Sequence, residues 1–288
     1  LEKKGYAFET GTDTEVILQA FIEYGVECLN KFNGMFAIAI WDNQTQELFL
    51  ARDRLGIKPV YYYQNDDEFI FASETKAILK GLDALPDLNV ELIDDYMSFG
   101  YIPGDKTLHK GINRLMPGHY AIVKNKQMVI TQWWDLKFDN SQDKGFDYYL
   151  NESKRLLESA IDVRLRSDVP LGIFLSGGID SSAVVGLLAD KVKEPLKTFS
   201  IAYDFGKNFD ETQYARQVAE KFGTDHHELK ITPQQFKDFI PEYIQLMDEP
   251  VTEAAAISLF FVSKLAKEKV TVALSGEGSD EIFAGYDL

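Results

Sequence analysis

The chain has 288 residues, 45% of them hydrophobic, and a formal net charge of −16. This composition is typical of a globular protein, and the length accommodates two ordinary domains. The acidic excess disfavours nucleic acid and anionic membranes as partners, and no stretch approaches the roughly 20 apolar residues of a membrane span. The single cysteine, Cys28, excludes an intramolecular disulfide framework, so we expect a cytoplasmic protein.

The first half of the chain predicts α+β structure. Asp13 is the expected N-cap of a helix over residues 15–24, and Gly25 can end that helix. Apolar stretches between polar turns predict strands at 34–41, 47–51, 60–63 and 68–72, followed by a helix at 75–80. Strands joined as hairpins, with helices around them, indicate antiparallel sheets.

A domain boundary is expected near the middle of the chain. Residues 100–135 are rich in Pro, Gly and turns, and the polar stretch 137–146 is typical of a linker. We therefore predict two domains, over residues 1–140 and 147–288. The last residues look like the first turns of a helix, so we expect a fragment of a longer protein with both domains truncated.

The second half alternates between helices and short apolar strands. Helices are predicted at 150–166, 182–192, before Gly223, at 234–247 and at 254–268, with strands at 170–175, 198–203, 228–231 and 270–274. This alternation is typical of α/β structure with a doubly wound parallel sheet. Ligands of such sheets bind at the carboxyl ends of the strands.

One such strand end carries the sequence SGGIDSS, residues 176–182. Glycines let the backbone approach a ligand, and the helix that follows presents N–H groups and the positive end of its dipole. A helix cap with turn glycines would explain Asp180 or one serine, but not the whole cluster. We therefore predict a phosphate site, which lacks both the Walker A lysine and the GxGxxG spacing.

The SGGxDSS pattern resembles the PP-motif of ATP pyrophosphatases, which cleave ATP between the α and β phosphates. A second loop of small and acidic residues, SGEGSDEIFAGY at 275–286, follows the last predicted strand. Together with GMFAIAIWD, ARDRLGIKPVYY, FASETKAIL and LHKGINRLMPGHY, these loops resemble the glutamine-hydrolysing asparagine synthetase family, which are class II amidotransferases. The resemblance covers essentially the whole chain, with the blocks in the family's order.

The resemblance implies an Ntn-hydrolase-like first domain and a second domain like the adenine nucleotide α-hydrolases. Its activity would be ATP-dependent conversion of aspartate to asparagine through β-aspartyl-AMP, with glutamine as the ammonia source. Mg²⁺ would accompany ATP, which is a substrate. The residues implied in ATP and pyrophosphate binding are Phe174, Leu175, Ser176, Gly177, Gly178, Asp180, Ser181, Ser182, Ile201, Ser275 and Gly276.

The resemblance implies a different role for each acidic residue of the second loop. Glu277 would be catalytic, as the base for attacking ammonia. Asp280 would be a metal ligand together with Asp180, and Glu281 would meet the amino group of the substrate. A solvated acid in the first turn of a helix is the competing explanation for Glu281.

The first domain supplies fewer matches. Asp13 would face the α-amino group of glutamine, although a plain N-cap explains it almost as well. Cys28 is not the family's N-terminal nucleophile and is expected to be a buried thiol. Arg52, Asp53 and Arg54 are expected to form a structural turn with internal ion pairs. A dimer is common in the family, but no sequence feature indicates one.

Three alternatives stay open. The acceptor could be another carboxylate, in a relative that amidates cell-wall precursors or surface sugars, or in a β-lactam synthetase. A tRNA-modifying pyrophosphatase would share the PP-motif, but the acidic composition and the amidotransferase half speak against it. A scaffold that has lost its chemistry would not need paired acids around a phosphate loop.

Overall fold

The structure is a computed structural model that describes residues 1–139, 141–192, 194–204, 212–249, 251 and 253–286. Its residue contacts divide the chain into two units, one of Leu1–Phe138 with Asp248–Pro250 and one of Asp139–Met247 with Val251–Leu288. Every helix in the described ranges is too short or too polar to cross a lipid bilayer.

The first unit contains two antiparallel sheets. One has the order β1-β2-β6-β7 and the other has the order β4-β3-β5. The strands are β1 (Ala37–Asp42), β2 (Glu47–Arg52), β3 (Tyr61–Gln64), β4 (Phe69–Ala72), β5 (Ile112–Arg114), β6 (His119–Lys124) and β7 (Gln127–Gln132), and the helices are α1 (Asp13–Tyr24), α2 (Thr75–Gly81) and α3 (Ile93–Phe99), with 3-10 turns at Glu2–Lys4, Gly25–Lys31 and Val90–Leu92.

Helix α1 begins at Asp13, one residue earlier than it would if Asp13 were its N-cap. Thr12 has the extended backbone of an N-cap, and Asp13 is the first helical residue, with no side-chain cap bond at this end. The Glu15 carboxylate instead accepts the backbone N–H groups of Glu9 (2.9 Å) and Thr10 (2.7 Å), which fixes the entry to the helix. The predicted N-cap role of Asp13 is therefore wrong, and its side chain is not committed to capping.

The turn-rich region at 100–135 contains three strands that the sequence did not predict. Strands β6 and β7 form a hairpin whose turn residues, Asn125 and Lys126, have φ values of 50° and 61°. Two consecutive left-handed residues give a turn whose twist matches that of the strands. The apolar alternation on either side of this pair was the available signal.

One core cluster of the first unit lies between the helical segment and the β1–β2 face. Cys28 and Leu29 from the 3-10 turn pack with Ile38, Phe49 and Ala51. Burial of Cys28, which is 1% exposed, raises the pKa of its thiol to about 11. The side chain therefore acts as a small apolar group of the core, as expected.

The second unit contains one parallel sheet flanked by helices. The predicted parallel sheet is confirmed, with the order β10-β9-β8-β11. Its strands are β8 (Leu171–Phe174), β9 (Lys197–Tyr203), β10 (Asp225–Ile231) and β11 (Val272–Leu274), and its helices are α4 (Phe146–Arg164), α5 (Ile179–Ala189), α6 (Thr212–Phe222), α7 (Pro233–Leu246), α8 (Ala254–Lys267) and α9 (Ser279–Phe283).

The strand order reverses beside β8. The chain proceeds from β8 to β9 and β10 on one side, and β11 then pairs with β8 on the other side. Open α/β sheets bind ligands outside the carboxyl ends of the strands at such a reversal. The topology therefore points to the loops after β8 and β11, which are the two loops that the sequence singled out.

The sheet is held between two apolar clusters. Ile173, Val185 and Leu188 pack with residues of α6, and Phe199 packs with Val262 of α8 in a second cluster. Side chains of this size contribute about 1.5–3 kcal/mol each when they leave water. The strand ends that carry the two loops are thereby fixed in position.

Candidate functional site

The loop after β8 is held in shape by its own serines. The Ser181 hydroxyl accepts the Ser176 N–H (3.2 Å) and donates to the Gly178 carbonyl (3.3 Å), while the Ser176 hydroxyl accepts the Gly178 N–H (3.2 Å). Ser181 is 6% exposed, and its hydroxyl holds the loop backbone in this conformation.

Ser182 differs from Ser181. Its N–H donates to the Gly178 carbonyl at 3.1 Å, but its buried hydroxyl has no hydrogen-bond partner in the described parts of the chain. A buried hydroxyl without a partner is costly, and it keeps its capacity to donate to a polar group that binds there. Asp180 lies in the same first turn of α5, where the N–H groups have no intrahelical partners.

The glycines of this loop are sites of close packing. Gly177 has φ = 89°, and a Cβ at this position would lie 2.7 Å from the Tyr214 Cβ at the start of α6. The loop after β8 therefore rests on the next helix of the unit, and only glycine fits there without displacing backbone.

The loop after β11 packs directly on the loop after β8. A Cβ on Gly276 would lie 2.9 Å from both the Asp180 Cβ and the Ser181 backbone nitrogen. Ser275 and Glu277, on either side of Gly276, are exposed. The structure thus brings Gly276 of the second loop against Asp180 and Ser181 of the first, at the reversal of strand order.

Three apolar residues predicted at the nucleotide site have different surroundings. Leu175 is 1% exposed, its N–H donates to the Phe199 carbonyl (2.8 Å), and its own carbonyl accepts the Ser200 hydroxyl. It is a core residue beneath the loop. Phe174 and Ile201 are half-buried against the Phe199 cluster and keep part of their surface open.

Two acids of the second loop, Asp280 and Glu281, lie in the short helix α9. Asp280 is half-buried, with its Oδ1 next to Gly285, and Glu281 is exposed. The pKa of Glu281 is lowered because its carboxylate accepts its own backbone N–H, the Tyr286 hydroxyl and the Gly278 N–H. Glu281 therefore interacts with the turn that follows rather than being freely solvated.

The described residues contain no group of three or more His, Cys, Asp or Glu side chains that could hold a metal ion by themselves. Mg²⁺ at nucleotide sites takes one or two carboxylates and completes its coordination with phosphate oxygens and water. Asp180 in α5 and Asp280 in α9 are carboxylates of the kind that such a site uses, rather than members of an all-protein cage.

In the first unit, Asp13 lies in an open cleft of about 370 Å³. Its polar lining includes Thr14, Lys58 and Ser73, and its apolar lining includes Ile17, Met35, Phe36, Ala37, Ile38 and Pro59. Lys58 and Ser73 were not among the predicted site residues, because they come from separate loops. The cleft combines the Asp13 carboxylate, the Lys58 amino group and the hydroxyls of Thr14 and Ser73 with an apolar lining. This combination suits a small polar ligand.

Lys58 is presented by a turn that Asp53 organises. The buried Asp53 carboxylate accepts the backbone N–H groups of Phe36 (3.2 Å), Leu55 (3.2 Å), Ile57 (3.0 Å) and Lys58 (3.0 Å). Arg52 donates to the carbonyls of Gly56, Lys58 and Leu115, and Arg54 donates to that of Phe32. The turn is structural as expected. Hydrogen bonds between these three side chains and backbone groups hold it, rather than internal ion pairs.

Two family models match the chain. Residues 1–134 match the glutamine amidotransferase domain, and residues 152–288 match asparagine synthase. Together these matches cover both units, in the order that the sequence resemblance requires.

Curated relatives match along almost the whole chain. A protein of Methanocaldococcus jannaschii, provisionally named asparagine synthetase [glutamine-hydrolyzing] 2, is 40% identical over 99% of this chain and 56% of its own length. "Asparagine synthetase [glutamine-hydrolyzing] 1" of Bacillus subtilis is 37% identical over 100% of this chain and 45% of its own. "Amidase chyE" of Penicillium rubens is 32% identical over 98% and 44%. The chain spans about half the length of the curated relatives it matches.

Proposed function

The chain belongs to the family that joins a glutamine amidotransferase domain to an asparagine synthase domain, and we propose that the intact protein is a glutamine-dependent ligase that converts L-aspartate to L-asparagine. The observation that carries this proposal is the contact of Gly276 with Asp180 and Ser181. This contact brings the loop after β11 against the loop after β8. Aspartate, glutamine and ATP are the proposed substrates.

We assign the triphosphate to the loop after β8. Phosphate oxygens would accept hydrogen bonds from the N–H groups at the start of α5 and from the Ser182 hydroxyl. These donors have no protein partners in the described residues. Ser176, Gly177, Gly178 and Ser181 would shape the loop around the phosphates. Mg²⁺, held by Asp180 and Asp280, would neutralise phosphate charge.

The nucleoside would lie over the half-buried side chains of Phe174 and Ile201, with Leu175 supporting them from the core. Ser275 and Gly276 would border it from the second loop. This arrangement would correspond to the adenine nucleotide α-hydrolase pattern, and the first unit would correspond to the Ntn-hydrolase pattern. The corresponding domains extend over 147–288 and 1–140.

The proposed reaction has two steps. An oxygen of the aspartate side-chain carboxylate attacks the α-phosphorus of ATP, and the bond from that phosphorus to the bridging oxygen breaks, releasing pyrophosphate. Ammonia then attacks the acyl carbon of β-aspartyl-AMP, and the acyl–oxygen bond breaks to give asparagine and AMP. Glu277, exposed beside Gly276, would accept the proton that the attacking nitrogen loses.

Glutamine would supply the ammonia. The α-amino group of glutamine would pair with Asp13 in the cleft of the first unit, with Thr14 and Ser73 as neutral hydrogen-bonding groups. Glu281 would bind the amino group of aspartate in the second unit.

The test is AMP release from Mg²⁺-ATP by the protein expressed from its complete reading frame, with L-aspartate and either glutamine or ammonia. We expect aspartate-dependent AMP with an equal amount of asparagine. Glu277→Gln should lower the rate by about 10²–10⁴-fold, whereas Glu220→Gln, at an exposed acid of α6, should not. AMP release that does not depend on aspartate would reject aspartate as the acceptor.

A second candidate is amidation of a different carboxylate, because the Penicillium rubens relative matches 98% of the chain and is not named an asparagine synthetase. The same assay with larger carboxylic acids in place of aspartate separates the two candidates. Failure to release AMP with any acceptor would favour a scaffold.

A further inference from the structure

The chain reverses immediately after α9 and returns to the two acids of that helix. Ala284 has left-handed backbone angles (φ 55°, ψ 48°), and the Gly285 N–H donates to the Asp280 carbonyl at 3.1 Å. The Tyr286 hydroxyl then donates to Glu281 Oε1 at 2.8 Å. One turn therefore contacts both Asp280 and Glu281.

The geometry of this turn is specific. A non-glycine residue in the left-handed region is unfavourable unless its surroundings determine that conformation. A Cβ on Gly285 would lie 2.1 Å from Asp280 Oδ1, so the backbone can approach that carboxylate only because residue 285 is glycine. The reversal is thus built around the acids and not merely adjacent to them.

The hydrogen bond from Tyr286 adds a side-chain contact to the backbone N–H groups that reach the Glu281 carboxylate. An exposed glutamate samples many rotamers, and it loses that freedom when it binds a ligand. A phenol donating to Oε1 narrows the orientations of the carboxylate further, and the carboxylate oxygens have lone pairs for an additional donor. The side chain is therefore ordered before a cationic group arrives, and this lowers the entropic cost of binding.

We propose that Tyr286 is a positioning residue, which holds the Glu281 carboxylate for the ammonium group of the acceptor and so selects carboxylic acids that carry an α-amino group. This inference rests on the proposed function, because it takes Glu281 as the acceptor-binding acid. Tyr286 itself would not contact the reacting atoms.

The experiment compares two acceptors on the intact protein with Mg²⁺. L-Aspartate carries the ammonium group and succinate lacks it, while both present the carboxylate to be activated. Calorimetric binding and AMP release are measured for wild type, Tyr286→Phe, Glu281→Gln and the double variant. Tyr101→Phe, at a tyrosine that is 61% exposed in the first unit, is the matched control.

We expect Tyr286→Phe to weaken aspartate binding and raise the KM for aspartate by about three- to tenfold, the size of one hydrogen bond to a charged group in partial contact with water. Succinate binding, the KM for Mg²⁺-ATP and kcat should not change. Tyr286→Phe should have no further effect once Glu281 is glutamine, because the two residues act through one contact.

Equal losses for aspartate and succinate, or a raised KM for ATP, would show a general structural role and overturn the proposal. Additive effects of the two substitutions would also overturn it. If the wild-type protein binds no aspartate, the proposed function fails and this inference fails with it. If wild type uses aspartate normally and Tyr286→Phe matches it, only the role of Tyr286 is rejected.

Discussion

Gly276 lies so close to Asp180 that a Cβ at residue 276 would be 2.9 Å from the Cβ of the aspartate. We expect Gly276→Ala to displace Asp180 and the start of α5, and to lower AMP formation by about 10²-fold, as small shifts at a reacting centre do. The measurement is ammonia-dependent AMP release by the intact protein. Gly11→Ala, where a Cβ meets nothing within 4 Å, is the control and should retain full activity.

The two neighbouring serines of α5 should behave differently when replaced. Ser181→Ala leaves the Ser176 N–H without its partner and removes one of the two donors to the Gly178 carbonyl, so it should cost about 1–3 kcal/mol of unfolding free energy. Ser182→Ala removes a hydroxyl that has no partner in the described residues, so stability should not fall. Urea unfolding separates the two variants, and the KM for Mg²⁺-ATP should rise about fivefold or more with Ser182→Ala. Equal destabilisation by both variants would contradict the assignment.

Asp13→Asn tests the cleft of the first unit. Loss of the charge opposite the α-amino group should raise the KM for glutamine by about 10- to 100-fold, while the ammonia-dependent reaction stays unchanged. Steady-state rates with the two nitrogen sources give the answer. Asp67→Asn, at an exposed turn residue, should affect neither reaction, and an equal loss with ammonia would remove Asp13 from glutamine binding.

Asp53→Asn tests the turn that presents Lys58. An amide offers one acceptor oxygen where the carboxylate offers two, and its NH₂ group would face backbone N–H donors. We expect a loss of about 2–4 kcal/mol in the unfolding free energy, measured with urea. Asp66→Asn, at an exposed turn residue, should change it little. A stability close to wild type would show that the four backbone bonds of Asp53 contribute less than their burial implies.

Cys28 predicts a pH dependence. Its native pKa is about 11, above the value of about 8.5 for a free thiol, so the native thiol keeps its proton at pH 8. The folded state then binds more protons than the unfolded state, and stability should decline as pH rises from about 8.5 to 11. Iodoacetamide should label Cys28 slowly at pH 8 in the native protein and rapidly in urea. Rapid native labelling would show an accessible thiolate.

The arrangement of strands and helices in the second unit could be predicted from the sequence. Apolar strands alternating with helices predicted the parallel sheet, and the positions of the two Ser-Gly loops at strand ends predicted that they would meet. This succeeded because parallel topology determines where the carboxyl ends of the strands lie. The start of α5 could not be placed as well, since residues 179–181 were expected in a loop and lie in the helix.

The first unit was predicted less completely. Lys58 and Ser73 reach the Asp13 cleft from loops that are far apart in sequence, and no local pattern relates them. The same reason applies to Asp53, whose partners are backbone N–H groups that carry no sequence signal. Strands β5 to β7 were missed because Pro and Gly were weighted above the alternation in β6 and β7.

The position of β11 has a consequence for how the site forms. Strands β8 and β11 are neighbours in the sheet, yet their paired residues are about a hundred positions apart in the chain. The loop after β8 is therefore synthesised long before the strand that completes the site, and closing so long a segment is slow. Nucleotide added during refolding should consequently stabilise only molecules in which β11 has already joined the sheet, so the ligand would act on the last step of folding rather than on the first.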